Sequence, residues 1–252
     1  MAMHRLLVPE ALLAMESVAP PPDAARHLRA IRPKPGEPIE LFDGLGHVRR
    51  YEWDGGTLRA AGGISALPPR RLSLTLFACV TKGSRWDWTI EKAVELGAAR
   101  IVPVISDRCI VRLAPGERAA KAERWRRIAA DAARQSDAAW LPEVLEAVDF
   151  PEALELVRGC DRVFAGALAD PPPPPLWTEL ARELDGKKPA ASLGVFVGPE
   201  GDFTPDELRA LLEVAVPVSL GPTILRAETA AIFALSVLAA AGHAATTAEM
   251  PH

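Results

Sequence analysis

The chain has 252 residues, 49% hydrophobic and 25% charged, enough for one large folded domain or two smaller ones. It contains no run of 18 apolar residues, and Glu10 and Glu16 arrive too early for a secretory leader, so neither a membrane span nor an export signal is expected. Cys79, Cys109 and Cys160 are few, odd in number and far apart, which excludes a disulfide scaffold or a cysteine-rich zinc site and suits a reducing cytoplasm. The net charge of −4 is uneven. Residues 1–142 hold 22 basic and 16 acidic side chains, residues 143–252 hold 7 and 17, so a polyanion would meet the first part.

In chain order, Pro20-Pro21-Pro22 reads as a loop. Strand-like runs follow at residues 39–42, 48–53 and 58–61, separated by Asp43-Gly44, Asp54-Gly55-Gly56 and Gly62-Gly63. These predict a small β module of about 70 residues, closed by Leu67-Pro68-Pro69-Arg70-Arg71. The texture then changes. Residues 72–80 form an apolar run that fits a strand buried on both faces. Trp86, Ile90, Ala93 and Val94 have helical spacing, with Gly97 as the stop. A strand at 101–105, a helix over 117–136 and a short helix from Pro151 come next. Strands are predicted at 162–168, 193–197 and 216–220. One helix opens at Thr204-Pro205-Asp206-Glu207, a capping box with proline in the first turn, and an alanine-rich helix covers 228–241. Strands alternating with helices predict a parallel α/β sheet. The five prolines 171–175 predict a stiff surface loop.

Two segments at the carboxyl ends of strands stand out, because ligands bind at that edge of open α/β sheets. Gly198-Pro199-Glu200-Gly201 lacks both the dinucleotide fingerprint and the Walker signature. It is either an ordinary strand–helix turn or a loop that lets a ligand approach the backbone, with Glu200 favouring a cation over a phosphate. Leu220-Gly221-Pro222-Thr223-Ile224-Leu225-Arg226 again leads from a strand into a helix. Arg226 there is suited either to orienting an anion or base edge or to a structural role, as a cap or in an ion pair with Glu228 or another nearby acid.

Taken together, His27-Leu28-Arg29 with Arg32, Leu41-Phe42-Asp43-Gly44, Lys82-Gly83, Glu91-Lys92-Ala93-Val94-Glu95-Leu96-Gly97, Arg108-Cys109, Gln135, Pro142-Glu143, Gly198-Pro199-Glu200-Gly201 and Leu220-Gly221-Pro222 with Ile224-Leu225-Arg226 and Glu228-Thr229-Ala230 form an ordered set. In this the chain resembles the RsmE family of bacterial 16S ribosomal RNA (uracil-N3) methyltransferases of the SPOUT superfamily, over nearly its whole length. The resemblance implies a PUA-like RNA-binding barrel in residues 1–70. It implies an α/β methyltransferase domain with a deep trefoil knot in 71–252, and a cytoplasmic homodimer. It further implies S-adenosylmethionine held by loops 167–170, 198–201 and 220–226, so that Ala167, Leu168, Gly198, Pro199, Glu200, Gly201, Leu220, Gly221, Ile224, Leu225 and Arg226 are the cofactor-binding candidates. The implied substrate is a uridine of small-subunit RNA, numbered 1498 in the family name. The chain departs from the pattern at Asp202, Thr223, Ala227 and Asp137-Ala138-Ala139-Trp140. These departures keep two alternatives in view, a catalytically weak ribosome-assembly factor on the same fold and a methyltransferase acting on transfer RNA.

Uracil N3 is protonated at neutral pH and must lose that proton to attack a methyl group. The expected catalytic residues are Arg226, which would stabilise the anion, and the neighbouring carboxylates Glu200 and Glu228. Arg29, Arg32 and Lys34 are the expected RNA contacts. Lys121, Arg124, Arg127 and Arg134 share a helical face, read either as an extension of that patch or as a solvated face. His27 is read as structural or as an RNA contact, with no metal. Trp86, Trp88 and Trp125 are read as core or dimer-contact residues. The face of Ala230, Phe233, Ala234, Val237 and Leu238 is expected either in the core or in an interface.

Overall fold

The computed structural model describes residues 3–68, 72–169, 171–185 and 190–247. Residues 69–71 of the expected proline break and Asp170 of the first expected cofactor loop lie outside them. By contacts the chain forms two units, Met1–Pro69 with Ala130–Leu141, and Arg70–Ala129 with Pro142–His252.

The first unit carries β1 (His4–Leu7), α1 (Glu10–Leu13), β2 (Ser17–Val18), α2 (Pro22–Ile31), β3 (Pro38–Phe42), β4 (His47–Trp53), β5 (Leu58–Ala60) and β6 (Ser65–Ala66). Its sheet runs β1-β3-β4-β5-β2, with β6 also on β4; β1 and β3 are parallel and the other pairs antiparallel. The proline run is not all loop: Pro22 opens α2, where its missing N–H costs nothing. Ala24 and Leu28, four apart, bury one face of α2 against Leu6, Ile39, Leu41, Tyr51 and Leu58.

Two arginines of this basic stretch are buried fixtures. Arg5 donates from Nε to Glu40 at 2.7 Å and from a terminal nitrogen to the carbonyls of Ala133 and Ala138. Arg49 donates to the carbonyls of Gly62 and Leu13 and to Glu16. Asp43 accepts from the Leu45 and His47 amides and meets His47 Nδ1 at 2.6 Å, which closes the turn before β4. Gly44 and Gly46 lie in the left-handed region, and a Cβ there would come within 2.6 Å of Leu141 and 2.3 Å of Trp140. Trp140, one of the residues that depart from the family pattern, is thus packed on this turn.

The second unit holds β7 (Ser73–Cys79), α3 (Ser84–Glu95), β8 (Arg100–Ile105), α4 (Pro115–Gln135, shared in part with the first), β9 (Glu143–Val144), β10 (Val148–Asp149), α5 (Phe150–Val157), β11 (Arg162–Gly166), α6 (Leu176–Leu184), β12 (Ser192–Val197), α7 (Pro205–Leu212), β13 (Val216–Val218) and α8 (Ala227–Thr247). Its sheet is parallel, in the order β10-β8-β7-β12-β11-β13, with β9 also on β8. As expected, β7 is buried on both faces from Leu74 to Cys79. On one side Phe77 stacks on Phe196 at 5.6 Å, and Phe150 and Phe203 meet Phe196 edge-on. On the other side α8 lies over β7 and β12. Ala230, Ala234 and Leu238 of α8 are buried, whereas Phe233 and Val237 are only half-buried, so that face is divided.

Trp86 and Trp125 are buried against each other, but Trp88 is exposed, contrary to a core role. The basic face of α4 is largely paired: Arg124 with Asp87, Arg134 with Asp131, and Arg127 with the Glu123 carbonyl. That favours the solvated-face reading. No described helix is long and apolar enough to cross a membrane.

Candidate active site

Strands β12, β11 and β13 are neighbours and parallel, so their carboxyl ends share one edge. The loops leaving them enclose a cavity of about 280 Å³. Ala167 and Leu168 line it from the first loop, Gly198, Pro199 and Glu200 from the second, and Leu220, Gly221, Ile224, Leu225 and Arg226 from the third. Gly201 lies off the cavity: its carbonyl accepts from Arg108 at 3.1 Å, as does that of Phe203 at 3.2 Å. Arg108, which the sequence offered only as part of a motif, therefore holds the Gly-Pro-Glu-Gly loop from behind. Glu228 is also outside the cavity lining.

The glycines serve different ends. A Cβ on Gly198 would meet the Phe203 ring at 3.0–3.3 Å, so this glycine answers to internal packing rather than to ligand approach. Gly221 has φ +134° and open space where a Cβ would stand. It is the position at which a ligand can lie on the backbone. Ser219 shapes that turn, since its hydroxyl bonds both the N–H and the carbonyl of Gly221. The proline run reaches back to it: the Ser219 N–H donates to the Pro174 carbonyl, and the Leu176 N–H donates to the Ser219 carbonyl. The prolines are thus a stiff loop that also clamps the exit of β13.

Arg226 is exposed, lines the cavity and makes no ion pair among the described residues. The alternative of an Arg226–Glu228 pair is not what the structure has. Glu228 instead faces Arg85 at 3.8 Å, and the same guanidinium approaches Glu200 at 3.5 Å. Arg85 was missed in the sequence; its only signal was its place two residues after Lys82-Gly83. The other Glu228 oxygen is buried and has no hydrogen-bond partner among the described residues. Ile224 and Leu168 are large apolar side chains left exposed at the rim. The arrangement suits a ligand with an apolar ring and a positive charge: apolar walls, one bare stretch of backbone and two acidic residues, Glu200 and Asp202.

In the first unit, Arg29 lies in the last turn of α2, Arg32 is its left-handed cap, and Lys34 follows in the loop; all three are exposed. Burial pushes the pKa of His27 down from its usual 6.5, and the charges of Arg134 and His4 push the same way.

A parallel sheet with a ligand cavity over three adjacent strand ends is the layout of an α/β ligand-binding domain, and residues 68–239 match the family described as RNA methyltransferase domain. Among curated proteins, ribosomal RNA small subunit methyltransferase E of Mycobacterium bovis is 35% identical over 86% of this chain and 83% of its own. Its Synechocystis counterpart is 32% identical over 82% and 67%. The crystal structure of ribosomal RNA small subunit methyltransferase E from Neisseria gonorrhoeae bound to S-adenosyl methionine has a TM-score of 0.78 at 29% identity, covering 95% of this chain and 98% of that one. A putative methyltransferase from Legionella pneumophila in complex with the same cofactor also has a TM-score of 0.78, at 26% identity over 96% and 98%. The chain belongs to the ribosomal RNA small subunit methyltransferase E family.

Proposed function

We propose that the protein transfers a methyl group from S-adenosylmethionine to N3 of one uridine of 16S ribosomal RNA, the nucleotide numbered 1498 in the family name. The observation that carries this reading is the cavity at the ends of β11, β12 and β13, with the open backbone of Gly221 and the guanidinium of Arg226, which has no ion-pair partner among the described residues, on one wall. The donor set fits the cofactor: Leu168, Leu220 and Ile224 provide apolar surface for its ring system, and Glu200 provides negative charge for its sulfonium. When bound, S-adenosylmethionine supplies an electrophilic methyl group.

The chain's own residues do the rest. Arg226 faces the charge that grows on the uracil as N3 loses its proton, and its fork of donors lowers the energy of that anion. Glu200 borders the cavity and takes the N3 proton. Glu228 acts at one remove, through the Arg85 that both share. The loops position donor and acceptor, which can supply about 7–11 kcal/mol of the barrier. The reading includes a deep trefoil knot formed by the three loops, a PUA-like first unit that docks RNA through Arg29, Arg32 and Lys34, a homodimer, and a cytoplasmic location. Mass spectrometry of small-subunit RNA from cells lacking the gene tests it. One methyl-uridine should disappear and return with the intact gene; unchanged RNA would defeat the proposal.

A further inference from the structure

The first unit has a feature that docking through surface cations does not require. A cavity of about 450 Å³ is bounded by Trp53, Leu28, Pro20, Pro33, Arg29 and Arg32, within the range of roughly 300–1,000 Å³ typical of ligand pockets. Trp53 ends β4 and is anchored: its N–H donates to the Glu37 carbonyl at 3.1 Å and its carbonyl accepts from Gly36 at 2.7 Å. The half-buried side chain packs on the hydrophobic cluster of the unit while also bordering the cavity. An indole supported by a core and bordering open space is a stacking platform.

The charges point the same way. Among the described residues no acidic side chain lines the cavity. The guanidinium groups of Arg29 and Arg32 have no hydrogen bond or ion pair among the described residues, whereas Arg5 and Arg49 of the same unit are buried and hydrogen-bonded. Arg32 also holds a φ of +50° as the cap of α2, a position that ordinarily goes to glycine. The chain keeps a strained arginine where glycine would relax it, and that arginine stands at the cavity.

We propose that this cavity captures one unstacked nucleobase of a single-stranded RNA segment, stacked on Trp53, with the flanking phosphates on Arg29 and Arg32. The inference rests on the reading of this unit as an RNA-docking module and adds a base-binding site to it. Duplex RNA keeps its bases stacked inside the helix, so the occupant comes from a loop, bulge or strand end. An apolar peptide would leave two unpaired cations without partners, which is why RNA is the occupant argued for.

The test uses the full chain and a short single-stranded RNA oligomer carrying 5-iodouridine, a base that photo-crosslinks to a stacked aromatic ring. The crosslink should map to Trp53, in the tryptic peptide of residues 51–59. Trp53→Leu should weaken binding about 10- to 100-fold without changing its salt dependence, and Trp53→Phe should retain most of the affinity. Matched unfolding midpoints for the two variants separate lost stacking from lost folding. Replacing Arg29 and Arg32 by alanine should lower the salt slope by about 1.4, at about 0.7 per phosphate contact. Unchanged affinity in Trp53→Leu, or a crosslink elsewhere, overturns the base site while leaving docking intact if the arginine variant still loses slope. If the arginine variant also binds with an unaltered slope, the docking reading falls with it.

Discussion

At the scale of single residues, Arg226 and Gly221 make the sharpest claims on the cavity. Arg226→Ala should lower turnover about 100- to 1,000-fold while cofactor affinity, read by calorimetry, stays near that of the parent. Arg226→Lys keeps the charge but not the planar fork and should recover only part of the rate. Gly221→Val should abolish cofactor binding, because a β-branched residue resists φ +134° and its side chain fills the open space. Unchanged calorimetric affinity would move the cofactor elsewhere. His27 has a pH signature. Its folded pKa is depressed, so the unfolded chain binds the proton better; the penalty is absent above 6.5, grows as pH falls through that value and is complete below the folded pKa. Denaturant titrations should therefore show the parent losing stability relative to His27→Gln as pH drops from 7.5 to 5.5. A gap that widens in the parent's favour would contradict this. At this scale the sequence disclosed residues whose type matters wherever they sit, such as Arg226 and Gly221. It did not disclose Arg85, whose importance comes from two carboxylates more than a hundred residues away.

At the scale of elements, legibility followed the burial pattern. The strand β7 and the opening of α7 were plain, the first from an unbroken apolar run and the second from its cap. In the structure Thr204 Oγ1 accepts from the Glu207 N–H at 3.2 Å, and Glu207 returns a bond to the Thr204 N–H at 2.9 Å. Glu207 also accepts from the Asp107 N–H, which ties α7 to the loop after β8. Thr204→Ala should cost about 1 kcal/mol in chemical unfolding, since it removes only the threonine half of the box. Helices α2 and α6 were not legible. Each is short, each buries only two side chains on a four-residue spacing, and each begins at the end of a proline run that reads as loop. The strand β1 pairs in parallel with a partner more than thirty residues away, which no local pattern announces.

At the scale of the whole molecule, the charge asymmetry needs a different weighting. Several cations counted in the first 142 residues are spent internally, on Glu40, Glu16, Asp87 and Asp131. The exposed set on and after α2, Arg29, Arg32 and Lys34, is among the cations left for a polyanion. The proposed homodimer gives a further expectation: light scattering at micromolar concentration should return twice the 27.0 kDa chain mass. Replacing the half-buried Phe233 and Val237 by polar residues should shift that value toward one chain if they belong to the interface. A single-chain mass for the parent would reject the dimer.

The anchoring of Arg5 has a consequence for how the protein is made. Its acceptors, the carbonyls of Ala133 and Ala138, belong to the stretch Ala130–Leu141, which packs with residues 1–69 rather than with its neighbours in sequence. The amino-terminal unit therefore cannot finish folding when its own strands leave the ribosome. Until residue 141 has emerged, the Arg5 guanidinium lacks its two carbonyl acceptors and the Gly44–Gly46 turn is uncovered. At roughly 5–20 residues per second, the 72 residues after Pro69 take on the order of 4–14 s to translate. During that interval the nascent chain offers a sheet without its covering segment to the crowded polysome, and slow codons placed between residues 70 and 141 would lengthen the exposure.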